Sequence, residues 1–336
     1  PDATFLPGPI QNYTTENFLK AARLKPGQLD CLVGGPPCQG FSVYNHDRGL
    51  HDDRSNLYRE YLRVVDGLRP NWVVLENVTG MTSVDGGSPV AAILYGLRKL
   101  GYYVEKQILK AEQYGIPQER RRLLFIGNRT GEPINWPAPS HGIGLLPFVT
   151  VRDAIGDLPI LRNGEHKEGA EYRTPPLSEF QRILRGNAQY VSNHSAPKLG
   201  SINIERMGYI PEGGSWRDIP HALLPAGMKK AKRSDHTKRY GRLRWNGLAS
   251  TILTKCDLPW GAYIHPSQTR SISVREAARF QSFPDSFAFQ GSRTEQYVQV
   301  GNAVPPLLGR KIAEAITHVN ERRKSHLAST ELMAAS

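Results

Sequence analysis

The chain is poor in cysteine, lacks any long apolar run, and carries fewer acidic than basic residues. Its 336 residues include only three cysteines, Cys31, Cys38 and Cys256, scattered and without a C-x-x-C pair. So few cannot form a disulfide framework, and their spacing excludes the common zinc sites, so no metal is expected. A reducing compartment is the default, and a cytoplasmic location is expected. No stretch approaches the ~18 apolar residues of a membrane-spanning helix. No signal peptide is visible, and no internal repeat. The first residue is Pro1, not Met, so the natural N-terminus is expected to lie elsewhere. Lys and Arg number 43 against 31 Asp and Glu, a net charge of +12. Such an excess favours a polyanionic partner, though weakly on its own. Apolar residues make up 39%, which excludes global disorder, and the length suits roughly two domains.

The first third alternates strand and helix signals. QLDCLVGG reads as a short buried strand. In SNLYREYLRVVDGLRP, Leu57, Tyr61, Val64, Val65 and Leu68 recur at helical spacing, Ser55 suits an N-cap, and Gly67 and Pro70 close the segment. NWVVLENV is a strand, SPVAAILYGLRKLGY an amphipathic helix, and YYVEKQIL and RRLLFIGN two further strands. This alternation predicts a doubly wound, mostly parallel sheet. Ligands of such sheets bind beyond the carboxyl ends of the strands. From about 130 to 265 prolines, glycines and basic residues dominate and periodicity is poor, which suggests a second, smaller, loop-rich domain. The run Lys229 to Arg244 holds eight Lys and Arg with His236 and Tyr240, and Trp245 follows. It suits phosphates and bases, or equally a solvated face. Order returns at SVREAARF, where Ser273 and Glu276 form a capping box, and at VGNAVPPLLGRKIAEAI, whose Pro305 and Pro306 suit a first helical turn.

Three groups could carry chemistry. Cys38 lies in GGPPCQGFS, directly behind the first strand. Two prolines stiffen this loop and its glycines permit close approach of a ligand. A thiolate there would be a strong nucleophile; Cys31, inside the apolar run, reads as core instead. Glu76 follows the apolar WVVL. It is either a proton donor or hydrogen-bond anchor beside the thiol, or the partner in a strand-end salt bridge. In QERRRLLFIG, Arg120 and Arg122 are expected to share one strand face and Arg121 the other. Such a pair holds a carboxylate, a phosphate or a base oxygen, or else forms a basic edge.

Taken together, these segments resemble the DNA (cytosine-5)-methyltransferases. GGPPCQGFS is similar to the family's Pro-Cys loop, LENV to its Glu-Asn-Val motif and QERRR to Gln-x-Arg-x-Arg. RSISVREAARFQSFPD is similar to the Arg-Glu-x-Ala-Arg-x-Gln segment, and VGNAVPP to the closing Gly-Asn-x-Val-Pro-Pro. The five occur in the family's order between about residues 30 and 315. The resemblance implies a class I methyltransferase, Rossmann-like, with S-adenosyl-L-methionine as methyl donor, S-adenosyl-L-homocysteine as product and double-stranded DNA as partner. It implies catalytic roles for Cys38, Glu76, Arg120 and Arg122, and cofactor contacts at Pro37, Leu57, Asn302 and Val304. It places DNA contacts at Ser42, Arg242, Arg244 and Thr251, the last in ASTIL. The implied domains are 1–155 with 295–325 (catalytic) and 156–294 (target recognition), followed by a tail, 326–336.

One family element is not found. The opening strand with its Phe-x-Gly-x-Gly loop and the acidic ribose ligand after it have no counterpart ahead of PDATFLPGPIQNY. A segment outside this sequence, or a second polypeptide, is expected to supply them; a monomer is otherwise expected. Two alternatives stand beside DNA methylation: the same chemistry on RNA, and a catalytically silent DNA-binding fragment. The roughly 140 residues between QERRR and RSISVRE favour duplex DNA. The expected outcome of isothermal titration with S-adenosylhomocysteine is no measurable binding to this chain; micromolar binding would show the missing motif to be dispensable.

Overall fold

The computed structural model describes residues 3–36, 57–235 and 237–317. They form two compact units. The first comprises 3–36, 57–109, 121–137 and 312–317; the second comprises 110–120, 138–235 and 237–311.

The first unit is built on helix α1 (Thr15–Ala22), strand β1 (Cys31–Gly34), α2 (Leu57–Leu68), β2 (Trp72–Val78), α3 (Ser88–Lys99), β3 (Tyr103–Lys110) and β4 (Arg121–Asn128). The sheet order is β1-β2-β4-β3. β1 and β2 run parallel, with Cys31 opposite Trp72 and Gly34 opposite Leu75. β4 runs antiparallel to β2, with Trp72 opposite Asn128 and Val78 opposite Arg122. The sheet is therefore mixed, and the physical cause is the short link into β4. Residues 111–120 contain only a single 3-10 turn, Ala111–Tyr114, whereas a parallel return needs a crossover of about a dozen residues or more. α2 buries Tyr58, Tyr61, Val64, Val65 and Leu68. Its stripe thus starts one residue later than expected, and Leu57 is left half-buried. The apolar run Trp72–Leu75 is buried on both faces, as expected of a central strand. β1 is not: Val33 is 68% exposed and Cys31 half-buried, against the expectation of a buried strand with Cys31 in the core.

The second unit contains α4 (Val151–Ile155), two short antiparallel ladders, α5 (Glu179–Arg185), α6 (Ser201–Gly208), α7 (Ala226–Lys229), α8 (Val274–Phe280) and α9 (Arg293–Asn302). Its main core gathers Val151, Ile155, Phe180, Ile272, Phe280, Tyr297 and Val300. Residues 138–155 and 295–311 therefore pack in this unit, because α4 and α9 bury their apolar faces in the same core as α8. A second cluster, including Met207, Trp216, Tyr240, Leu258 and Ile264, gives the loop-rich stretch a core of its own. No helix among the described residues is long and apolar enough to cross a membrane.

Every residue of α8 is buried, although three of its seven are charged. Isolated buried charges are costly, so each must be paired. Ser273 and Glu276 form the expected capping box, and Glu276 also takes a bidentate bond from Arg270 at 2.7 and 2.8 Å. Arg279 bridges Asp157 at 2.5 Å and Asp285 at 2.6 Å, and Tyr172 donates to Asp285 at 2.7 Å. Burial pushes the His265 imidazole down to about 3 and lowers His194 as well. Burial alone would raise Glu276, but the Arg270 guanidinium outweighs it and holds the carboxyl well below the usual range.

These directions fix the sign of the acid response. A histidine whose folded pKa lies below its unfolded value near 6.5 leaves the folded state with fewer bound protons. Stability is then lost as pH falls from about 6.5 towards 3, and the depressed Glu276 adds to the loss in the carboxylate range. The midpoint of urea unfolding is expected to drop between pH 7 and pH 5, and His265→Gln to flatten that drop. A midpoint independent of pH over this range would contradict the assignment of a neutral buried His265.

Candidate active site

The carboxyl edge of the first unit's sheet carries the expected acidic group. Parallel pairing sets Gly34 beside Leu75, so the next residues on each chain, Gly35-Pro36 and Glu76-Asn77, meet at one edge. Asn77 is buried and its Nδ2 donates to the Pro36 carbonyl at 3.3 Å, while its Oδ1 accepts from the Val78 N–H at 2.9 Å. The amide thereby ties the chain that leads into Cys38 to the end of β2. Glu76 Oε1 pairs with Arg122 Nε at 2.6 Å, both side chains largely shielded from solvent. Glu76 lies opposite Leu124 in the ladder, so Arg122, two residues away, is its diagonal neighbour on the same sheet face. The other carboxylate oxygen, Oε2, faces Gly35: a Cβ built there would stand 3.5 Å from it. Of the two alternatives for Glu76, the salt bridge is present, and it still leaves one oxygen directed at the approach to the Pro-Cys loop.

Cys38, with Pro37 and Ser42, lies outside the described residues. The other two thiols are poor nucleophiles. Burial, and then the Asp30 charge, pushes Cys31 up to about 11, and burial pushes Cys256 well up. Among the described residues no group of three or more His, Cys, Asp or Glu could hold a metal ion.

Arg120 does not join Arg122. β4 starts at Arg121, so the alternation expected for one strand does not extend to residue 120. Arg120 is 1% exposed, and its guanidinium is committed to backbone carbonyls of the second unit. Nη1 donates to Ile252 at 3.2 Å, and Nη2 to Gly301 at 3.1 Å and Ala303 at 2.9 Å. Gln118 adds to the same knot: its Oε1 accepts from Ile252 N–H at 2.9 Å and its Nε2 donates to the Phe280 carbonyl at 2.9 Å and to Gln281 Oε1 at 3.1 Å. Gln281 Nε2 in turn donates to the Val300 carbonyl at 2.7 Å. The backbones here touch, since a Cβ at Gly301 would stand 2.4 Å from the Leu253 carbonyl carbon. Gln118 and Gln281 were legible only as letters within motif strings; nothing in their neighbours signals burial.

A cavity of about 510 Å³ opens beside β1, lined by Ile10, Leu32, Val33, Gly35, Leu57, Glu60 and Tyr61 among others. Leu57 is thus on a cavity wall. Glu60, missed in the sequence, brings a carboxylate to the same wall, where Arg63 pairs with it at 2.8 Å. Asn302 is exposed at the end of α9 and Val304 is half-buried, both in the second unit. Mostly apolar walls with one carboxylate suit a nucleoside, whose base presents apolar faces and whose sugar presents hydroxyl donors.

The DNA contacts need one correction. Arg242 is in the interior, its guanidinium donating to the carbonyls of Ile210, Met207, His265 and Gln268 at 2.7 to 3.2 Å. With four of its five N–H donors spent on carbonyls in the interior, this arginine cannot present its fork to a phosphate. Tyr240 is buried too, so the basic and aromatic run is part core and part surface. Arg244 is exposed. Thr251 is half-buried and donates its hydroxyl to the Glu119 carbonyl at 2.5 Å.

A mixed α/β sheet with its polar groups gathered at the carboxyl edge of β1 and β2 is the architecture of a class I methyltransferase. The family model for C-5 cytosine-specific DNA methylases matches residues 9–318, and the chain belongs to that family. It is 33% identical to the type II methyltransferase M.AgeI of Thalassovita gelatinovora, over 94% of this chain and 89% of that protein. It is 34% identical to M1.HphI of Haemophilus parahaemolyticus, over 95% of this chain and 76% of that one. DNA (cytosine-5)-methyltransferase 2 of Arabidopsis thaliana is 36% identical over 87% of this chain, which spans only 22% of the plant protein. A solved DNA modification methyltransferase from an Escherichia coli prophage shares the fold, with a TM-score of 0.71 at 23% identity over 94% of this chain and 85% of that one.

The two arginines should separate in a denaturation experiment. Arg120→Met orphans three buried carbonyls and is expected to lower the unfolding free energy by about 3 kcal/mol. Arg122→Met, at the sheet edge, should cost clearly less. Urea unfolding of both variants measures this, and the reverse order would overturn the division of roles.

Proposed function

We propose that this DNA (cytosine-5-)-methyltransferase transfers a methyl group from S-adenosylmethionine to C5 of a cytosine extruded from duplex DNA. The observation that carries the proposal is the Glu76–Arg122 pair, set beside the Gly35-Pro36 backbone two residues ahead of Cys38. Leu57 and Glu60 would hold the nucleoside part of the donor, and the family resemblance adds Pro37, Asn302 and Val304 as cofactor contacts. When bound, the donor supplies an electrophilic methyl carbon.

Cytosine C5 is too weak a nucleophile to take that methyl unaided. Addition of the Cys38 thiolate to C6 forms a C–S bond and pushes the ring electrons towards C5 and N3. Glu76, whose Oε2 faces Gly35, would accept from the exocyclic amine and, when protonated, donate to N3 as negative charge builds on the ring. Arg122 holds the carboxylate in orientation and keeps the site cationic, which favours the thiolate. Once C5 has taken the methyl, with S-adenosylhomocysteine as the leaving group, loss of the C5 proton to water lets the thiolate leave from C6 and restores the ring. A stacked base cannot reach these groups, so extrusion at a cost of roughly a few kcal/mol precedes the chemistry. Arg120 serves as a positioning residue, holding the backbones of Ile252, Gly301 and Ala303 from which Thr251 and Asn302 project.

Fluorine at C5 blocks the final proton loss and should strand the intermediate. Duplex DNA substituted with 5-fluorocytosine, incubated with the protein, S-adenosylmethionine and a polypeptide supplying the Phe-x-Gly-x-Gly segment, is expected to give a covalent adduct whose tryptic peptide contains Cys38. Cys38→Ser should give none. An adduct that survives Cys38→Ser, or one formed on fluorinated RNA and not on duplex DNA, would sink the proposal.

A further inference from the structure

A second cavity, of about 330 Å³, lies wholly within the second unit, lined by Glu119, Gly213, Lys238, Arg244 and Ser250 among others. Arg244 is held ready in it. On one side of it in the chain Leu243 is in the core and Arg242 is anchored to four carbonyls. On the other side the Trp245 N–H donates to Glu212 at 2.7 Å, and its ring packs against Arg152 and His265. The Arg244 side chain lies across Gly213: a Cβ there would fall 2.0 Å from Arg244 Nε, and Gly213 also has φ +76. Only glycine meets both conditions. Among the described residues the Arg244 guanidinium has no hydrogen-bonding or ionic partner, so its fixed donors remain available.

Besides Arg242, whose guanidinium is spent on interior carbonyls, the cavity's other charges are an ion pair, Glu119 with Lys238, each about half exposed. Two cationic donors with one carboxylate acceptor make a mixed pattern. A phosphate would be repelled by Glu119. The major-groove edge of a G·C pair offers what the pattern needs: guanine O6 and N7 accept, and the cytosine N4 amine donates. Arginine makes the bidentate contact to O6 and N7, and glutamate accepts from N4. Resting on the reading that this chain acts on duplex DNA, we propose that Arg244, with Glu119 and Lys238, selects one G·C pair of the target sequence. Arg244 is then a specificity-determining residue, distinct from the residues that act on the extruded base.

Selection of binders from a random duplex library by the full chain, followed by sequencing, tests this. The parent protein should enrich a motif containing a strongly preferred G. Arg244→Lys, which keeps the charge but loses the fork, should reduce the preference at that one position roughly tenfold to a hundredfold and leave the other positions as they are. Glu119→Gln should weaken discrimination at the same base pair. Because Arg244 is exposed, its variants should unfold at the parent's denaturant midpoint. An unchanged motif in Arg244→Lys, or an Arg244→Ala variant that weakens all sequences equally with a salt slope reduced by about one, makes Arg244 a phosphate contact and overturns the proposal. Enrichment of no motif by the parent protein overturns it as well, while absence of duplex binding strikes the functional reading beneath it.

Discussion

The parallel pairing of β1 with β2 is the constraint on which the site depends. It brings two otherwise unrelated chain ends, Gly35-Pro36 and Glu76-Asn77, to one sheet edge. Asn77 then locks the first of these ends through the Pro36 carbonyl. The antiparallel entry of β4 supplies Arg122 as the diagonal neighbour of Glu76. A shielded carboxylate needs a partner that fixes its orientation, and a second oxygen to engage a substrate. The geometry provides both, because the guanidinium binds Oε1 and leaves Oε2 towards Gly35.

The second unit solves a different problem. A loop-rich chain has little regular backbone hydrogen bonding, and buried carbonyls must find donors elsewhere. Here arginine and glutamine side chains fill the deficit. Arg120, Arg242 and Arg275 donate to carbonyls across distant segments, while Arg270 and Arg279 are neutralised by Glu276, Asp157 and Asp285. Such fixed networks hold the loop-rich segments in one conformation, and an ordered surface loses less entropy on binding. They also explain why so basic a chain need not display all its charge to solvent.

Much of this was legible in the sequence. The helices over Leu57–Leu68 and Ser88–Lys99, the strands from Trp72, Tyr103 and Arg121, and the Ser273 cap follow local rules of periodicity and capping, and all are present. Glu76 was legible because a carboxylate behind WVVL has no reason to be there for packing. The failures have a common cause. Whether an arginine is buried depends on the segments it meets, and those lie far away: Arg120 meets residues 252, 301 and 303, and Arg242 meets 207, 210, 265 and 268. The direction of β4 was likewise hidden, since it follows from the link before it and not from the strand. Glu60 was invisible as a site residue because it sits on the polar side of a helix whose signal is its apolar stripe.

In the proposed mechanism, addition of the Cys38 thiol to C6 would make C5 basic, so the C5 proton should exchange with water even without a methyl donor. Release of tritium from duplex DNA labelled at cytosine C5 therefore measures the step assigned to Glu76 directly. The parent protein should release tritium, and Glu76→Gln should do so about a hundredfold more slowly or worse. Release by Glu76→Gln at the parent rate would contradict the account.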